Sequence, residues 1–99
     1  MFYNISNHPS ATWPAEKIQA ANSLGGEIKD VAFPAIDYKL STADIVKLVA
    51  KFVNEINPDM DDYALVAGDL VIGSAIVREL QHHGVTPVTS ASLRAAVEK

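Results

Sequence analysis

Tyr63-Ala64-Leu65-Val66-Ala67-Gly68-Asp69 is the stretch on which the fold turns. Its first five residues are continuously apolar rather than alternating, the pattern of a strand covered on both faces, as strands of parallel sheets are. Gly68-Asp69 then breaks the run and leads into a helix over about Leu70 to His83, where Ile72, Ala75, Ile76 and Leu80 share a face and Gly84 supplies the stop. A buried strand, a tight turn and an amphipathic helix together form half of a βαβ unit.

Working back toward the start, Asn57-Pro58-Asp59 closes an earlier helix. In that helix Ile45, Leu48, Val49, Phe52, Val53 and Ile56 recur at spacings of three and four, behind Ser41 as N-cap and Asp44 three residues on. Before it, Glu27 to Phe33 reads as a strand ended by Pro34. Earlier still, a helix over Thr12 to Leu24 carries Trp13, Ile18, Ala21 and Leu24, with Pro14 in its first turn and Gly25-Gly26 as its stop. Met1 to Ile5 forms the first strand, which ends at the structure-breaking cluster Ser6-Asn7-His8-Pro9-Ser10.

Downstream, Val85 to Thr89 is a fourth strand, with Pro87 placing it at an edge. Ser92 caps a short last helix carrying Leu93, Ala96 and Val97. The alternation predicts one α/β domain over residues 1–99, a small Rossmann-like three-layer fold on a four-stranded parallel sheet. The strand order 2-1-3-4 sets the first and third strands side by side at a topological switch point.

Composition narrows the function classes. The 99 residues are 48% hydrophobic and 20% charged, which is enough apolar material for a core and too little sequence for a second domain. Eight basic against twelve acidic residues leave a net charge of -4, which opposes capture of long nucleic acid but not of a small anion. With no cysteine, thiol catalysis, thiolate metal sites and disulfides are excluded, in keeping with a cytoplasmic setting. No apolar run reaches the roughly 18 residues of a membrane helix, and Met1-Phe2-Tyr3-Asn4 lacks a basic leader segment.

Ligands of open parallel sheets bind beyond the carboxyl ends of the strands, where helix N-termini gather. The residues expected on that rim are Ser6, Asn7, His8 and Ser10 after the first strand, Gly68 and Asp69 after the third, and Thr89, Ser90 and Ser92 after the fourth. Asn7 and His8 have the chemistry to orient a phosphate, ribose or base edge, and an imidazole exchanges protons near neutral pH. Turn and cap chemistry explains the same loop equally well.

Trp13 reads first as packing and second as a stacking platform, and Asp69 reads first as a helix cap. Gly73 sits mid-helix at a cost of about 1 kcal/mol relative to alanine, which points to close packing, against a ligand or another subunit among other neighbours. His82 and His83 fall at the far rim, and Asp59, Asp61 and Asp62 read as a solvated turn without the offsets of a calcium loop. GxGxxG, the phosphate-loop lysine motif, HExxH and GxSxG are all missing, and no metal or cofactor is expected.

The run Asn4-Ile5-Ser6-Asn7-His8-Pro9-Ser10, a tryptophan at the helix start, and Ala67-Gly68-Asp69 leading into Gly73-Ser74-Ala75 resemble the small stand-alone CRISPR-associated Rossmann-fold (CARF-like) proteins, some of which are ring nucleases that degrade cyclic oligoadenylate. The resemblance implies a homodimer joining two rims around a ring nucleotide, and metal-free cleavage by the ribose 2′ hydroxyl with Asn7, Ser10 and His8 as catalytic candidates. It further implies ligand contacts from Ser6, Trp13, Gly68, Asp69, Thr89 and Ser90. The contrasting expectation is a non-catalytic dimeric interaction module, motivated by the apolar stripe of the second helix and by Gly73. Neither the first nor the third loop contains an arginine or lysine, which counts against a phosphate site.

Overall fold

A computed structural model describes residues 1–90 and Leu93. The order is β1 (Phe2–Ile5), a 3-10 turn (Ser10–Thr12), α1 (Ala15–Gly25), β2 (Ile28–Val31), α2 (Thr42–Ile56), β3 (Tyr63–Val66), α3 (Leu70–His82) and β4 (Thr86–Val88). The sheet is parallel throughout with order β2-β1-β3-β4, as the alternation predicted. The last helix expected from Ser92, with Ala96 and Val97, lies outside the described residues.

Side chains of β1 and β3 alternate between two cores, as the two-residue period of a strand requires. Tyr3, Ile5 and Ala64 face Ile45, Val49 and Val53 of α2 and Ile72, Ile76 and Leu80 of α3. Phe2 and Leu65 face the other way, onto Trp13, Ala20, Ala21 and Leu93. Among the described elements α1 lies on one face and α2 and α3 on the other, so the β1–β3 junction is the switch point. Ile72, Ile76 and Leu80 are wholly buried, and truncating any of them to alanine costs about 2–5 kcal/mol.

Local chemistry sets the helix ends. The Ser41 hydroxyl accepts from the Asp44 amide at 3.2 Å to open α2, and Asn57 closes it in the left-handed region at φ 53°. Gly25, the last residue of α1, leaves no room for a side chain, because a Cβ there would stand 2.7 Å from the Phe2 amide nitrogen. Here the α1 end rests on the backbone entering β1.

Some boundaries and faces differ from the sequence reading. Helix α1 starts at Ala15, since the chain from Ser10 to Thr12 first makes a separate 3-10 turn and Pro14 takes the N-cap position. Strand β2 stops at Val31, and Phe33 leaves the sheet to pack from the following loop. Leu48 and Leu24 lie on the open sides of their helices, 42% and 38% exposed. Asp62 is not part of a solvated turn: it is buried, binds the Met1 ammonium at 2.9 Å and accepts from the Asp59 amide at 2.9 Å. Among the described residues no helix is long and apolar enough to cross a membrane.

Candidate functional site

The carboxyl ends of β1 and β3 are joined where the Ala67 amide donates to the Ile5 carbonyl at 3.0 Å. Loop one, Ser6 to Trp13, and loop three, Ala67 to Asp69, therefore leave the sheet as neighbours. Beneath loop one lies Asn4, only 1% exposed. Its side-chain amide donates to the His8 carbonyl and to Asp30 Oδ1, each at 2.9 Å, while its Oδ1 accepts from the Ser6 hydroxyl at 2.7 Å. The Ser6 oxygen in turn accepts from the His8 amide at 3.2 Å.

Asp30 completes this network from β2, accepting from the Ser10 amide at 3.1 Å and the Ser10 hydroxyl at 3.0 Å. Burial alone would raise its pKa, but the hydrogen bonds from Asn4 and Ser10 outweigh that and hold the carboxyl below its ordinary value. Ser6 and Ser10 are consequently occupied in holding the loop. The side chains of Asn7 and His8 stand outside the network and are exposed.

Loop three is shaped differently. A Cβ on Gly68 would stand 2.5 Å from the Phe33 ring, so the glycine is required by that packing. Asp69 caps α3, its Oδ2 accepting from the Ile72 amide at 2.8 Å. Beside them an open groove of about 470 Å³ is lined by Val66, Gly68, Leu70, Gly73, Ser74 and Val77. Gly73 is not cramped within the chain, because a Cβ would meet Val66 at 3.8 Å and Phe33 at 4.0 Å, ordinary contact distances. Close packing inside the chain therefore does not explain it.

At the other end of loop one, Trp13 is buried and meets Phe2 edge to face, with ring centroids 6.4 Å apart. Lys17 lies over this aromatic, its Nζ 4.1 Å from the ring centroid, and donates to the Ser90 hydroxyl at 3.3 Å. The Lys17 ammonium thus joins loop one to Thr89-Ser90 at the end of β4. The rim gains a cation that neither loop supplies in sequence.

Four residues of this rim escaped the sequence reading: Asn4, Lys17, Asp30 and Phe33. A lone amide inside a short apolar strand was the available signal for Asn4. Lys17 falls one turn into α1, where a lysine reads as solvated. On the opposite rim His83 contacts Glu79 at 3.4 Å, and among the described residues no group of three or more His, Asp or Glu is placed to hold a metal. A second groove, of about 550 Å³, runs between α2 and α3 past Val46, Val71, Ala75 and Arg78.

Residues 1–99 match the model of a family described as the uncharacterized protein MJ1673 family. No curated protein and no solved structure matches the chain.

Proposed function

We propose that this chain, which belongs to the uncharacterized protein MJ1673 family, binds a small anionic nucleotide at the β1–β3 rim and acts, as a homodimer, as a metal-independent ring nuclease on cyclic oligoadenylate. The observation that carries this reading is the meeting of loops one and three at the switch point beside an open groove of about 470 Å³. That volume falls within the range of about 300–1,000 Å³ common for small-ligand sites. Asn7 and His8 are exposed for contact with the ligand, and Lys17 supplies positive charge at the far end of loop one.

In the proposed reaction the ribose 2′ oxygen loses its proton and attacks the adjacent phosphorus. The bond to the 5′ oxygen breaks, that oxygen takes up a proton, and a 2′,3′-cyclic phosphate remains. His8 is the group suited to move the proton, and Asn7 to hold the phosphoryl oxygens in line. Trp13 supports loop one from its packed position, while Asp69 as a helix cap and Gly68 beneath Phe33 shape the groove rather than touch phosphate.

Incubation with cyclic tetra-adenylate and related rings, followed by calorimetry and product separation, tests the reading. Binding with linear products is expected, and replacing Asn7 and His8 together removes both. No binding and no turnover at any ring size would discard it.

A second reading, a non-catalytic dimeric interaction module, is favoured by one observation: Leu70, Val46 and Val71 are 82%, 51% and 48% exposed on the outer side of α2 and α3. Replacing Gly73 by alanine is expected to stabilise the folded monomer by up to about 1 kcal/mol through helix propensity. Under this reading Val71→Asp, on the exposed face, weakens association, measured by sedimentation at several concentrations. A strict monomer at high micromolar concentration would end it.

A further inference from the structure

We infer that Asp30 is the positioning residue of loop one: with Asn4 as its buried link, it fixes the backbone from which Asn7 and His8 stand out on the rim. The consequence for binding rests on the nucleotide reading above, whereas the latch itself belongs to the free protein.

Parallel pairing sets Asp30 of β2 beside Asn4 of β1. Three donors then converge on one carboxylate: the Asn4 amide at 2.9 Å, the Ser10 amide at 3.1 Å and the Ser10 hydroxyl at 3.0 Å. The Asn4 amide also donates to the His8 carbonyl at 2.9 Å, and the His8 amide donates to Ser6 at 3.2 Å. Both backbone polar groups of His8 are therefore tied down, one through Asn4 and the other through Ser6. Ser10, at the start of the 3-10 turn, is held by Asp30 directly.

The loop accordingly divides into residues that hold and residues that present. Ser6 and Ser10 hold, so Ser10 serves the latch rather than a phosphate oxygen. Asn7 and His8 present. The negative charge on Asp30 matters, because a carboxylate accepts at both oxygens and charge-assisted bonds are roughly twice as strong as neutral ones. An asparagine at this position would turn a donor toward one of the same donors.

The test compares wild type with Asp30→Ala and Asp30→Asn, using amide hydrogen exchange by NMR on the free protein. In Asp30→Ala, exchange at Ser10, whose amide loses its carboxylate acceptor, is expected to rise by about tenfold, and at His8, held one step further off through Asn4 and Ser6, by less, while β3 amides keep their protection. Asp30→Asn, which keeps the shape, gives a smaller rise at Ser10 and carries the test should the alanine variant not fold. Binding of cyclic tetra-adenylate weakens in the same order.

Unchanged exchange at both amides would overturn the inference. So would tighter binding of the ring by Asp30→Ala, which would make the carboxylate a plug on donors that the ligand wants. Failure of the wild type to bind any ring would remove the nucleotide reading alone, with the exchange data still deciding the latch.

Discussion

Loop one and loop three leave adjacent strands on the same rim, yet one is held by polar groups and the other by volume. Under loop one, a buried amide and a carboxylate take up the backbone of His8 and Ser10. Under loop three, the Phe33 ring lies against Gly68 and the Asp69 cap starts α3. A polar support resists motion only while every partner is in its required ionisation state, whereas a packed ring is indifferent to protons and intolerant of added atoms. The two loops should therefore fail under different perturbations.

The largest effect is expected at Asn4. Asn4→Leu removes three side-chain hydrogen bonds and leaves Asp30 without its buried donor and the His8 carbonyl with only the longer bond from Ser6, at a cost of about 3 kcal/mol in chemical denaturation. A loss no larger than that of an exposed substitution would break the contrast, because loop one would not depend on its polar support. Next comes Gly68→Ala, which drives a methyl into the Phe33 ring and is expected to cost about 2 kcal/mol. Most of that should vanish when Phe33→Ala is combined with it, and additive losses would show that the ring is not the obstacle. Asp69→Ala ranks third, at about 1 kcal/mol, since it removes a single cap bond to the Ile72 amide.

The same contrast explains what could be read from the sequence. The parallel sheet followed from the continuous apolar run at Tyr63 to Ala67 and the stripes of α2 and α3, because burial on two faces and on one face leave different periods, whereas the order 2-1-3-4 is a choice among the few arrangements that right-handed crossovers leave. The places of loops one and three followed from that order. Their supports did not. Asn4 is polar in a four-residue strand, and only the pairing register with β2 reveals Asp30 as its partner. Gly68 is constrained by a ring from a loop much earlier in the chain, so its local sequence reads as a ligand turn. Asp62 looked solvated because its partner, the Met1 ammonium, lies 61 residues away in the sequence. In each case the missing information was a contact between distant segments, while the local pattern was sound.

The finest separation of the two loops is by pH. Burial raises the Asp30 pKa, but the bonds from Asn4 and Ser10 reverse this and leave it below its ordinary value in the folded chain. A depressed folded value means that the ionised carboxylate stabilises the fold; the contribution is present above the unfolded value and is lost as pH falls through the folded one. Acid should thus loosen loop one in the range below ordinary carboxylate titration, with no counterpart in the contact between Gly68 and Phe33. Carboxyl carbon shifts would follow Asp30, and amide shifts would follow Ser10 and Gly68 over the same titration. Ser10 is expected to move with Asp30 while Gly68 does not follow that transition. Should Asp30 titrate at or above its ordinary value, its carboxylate would not be favoured by the Asn4 and Ser10 donors, and the polar half of the comparison would fall.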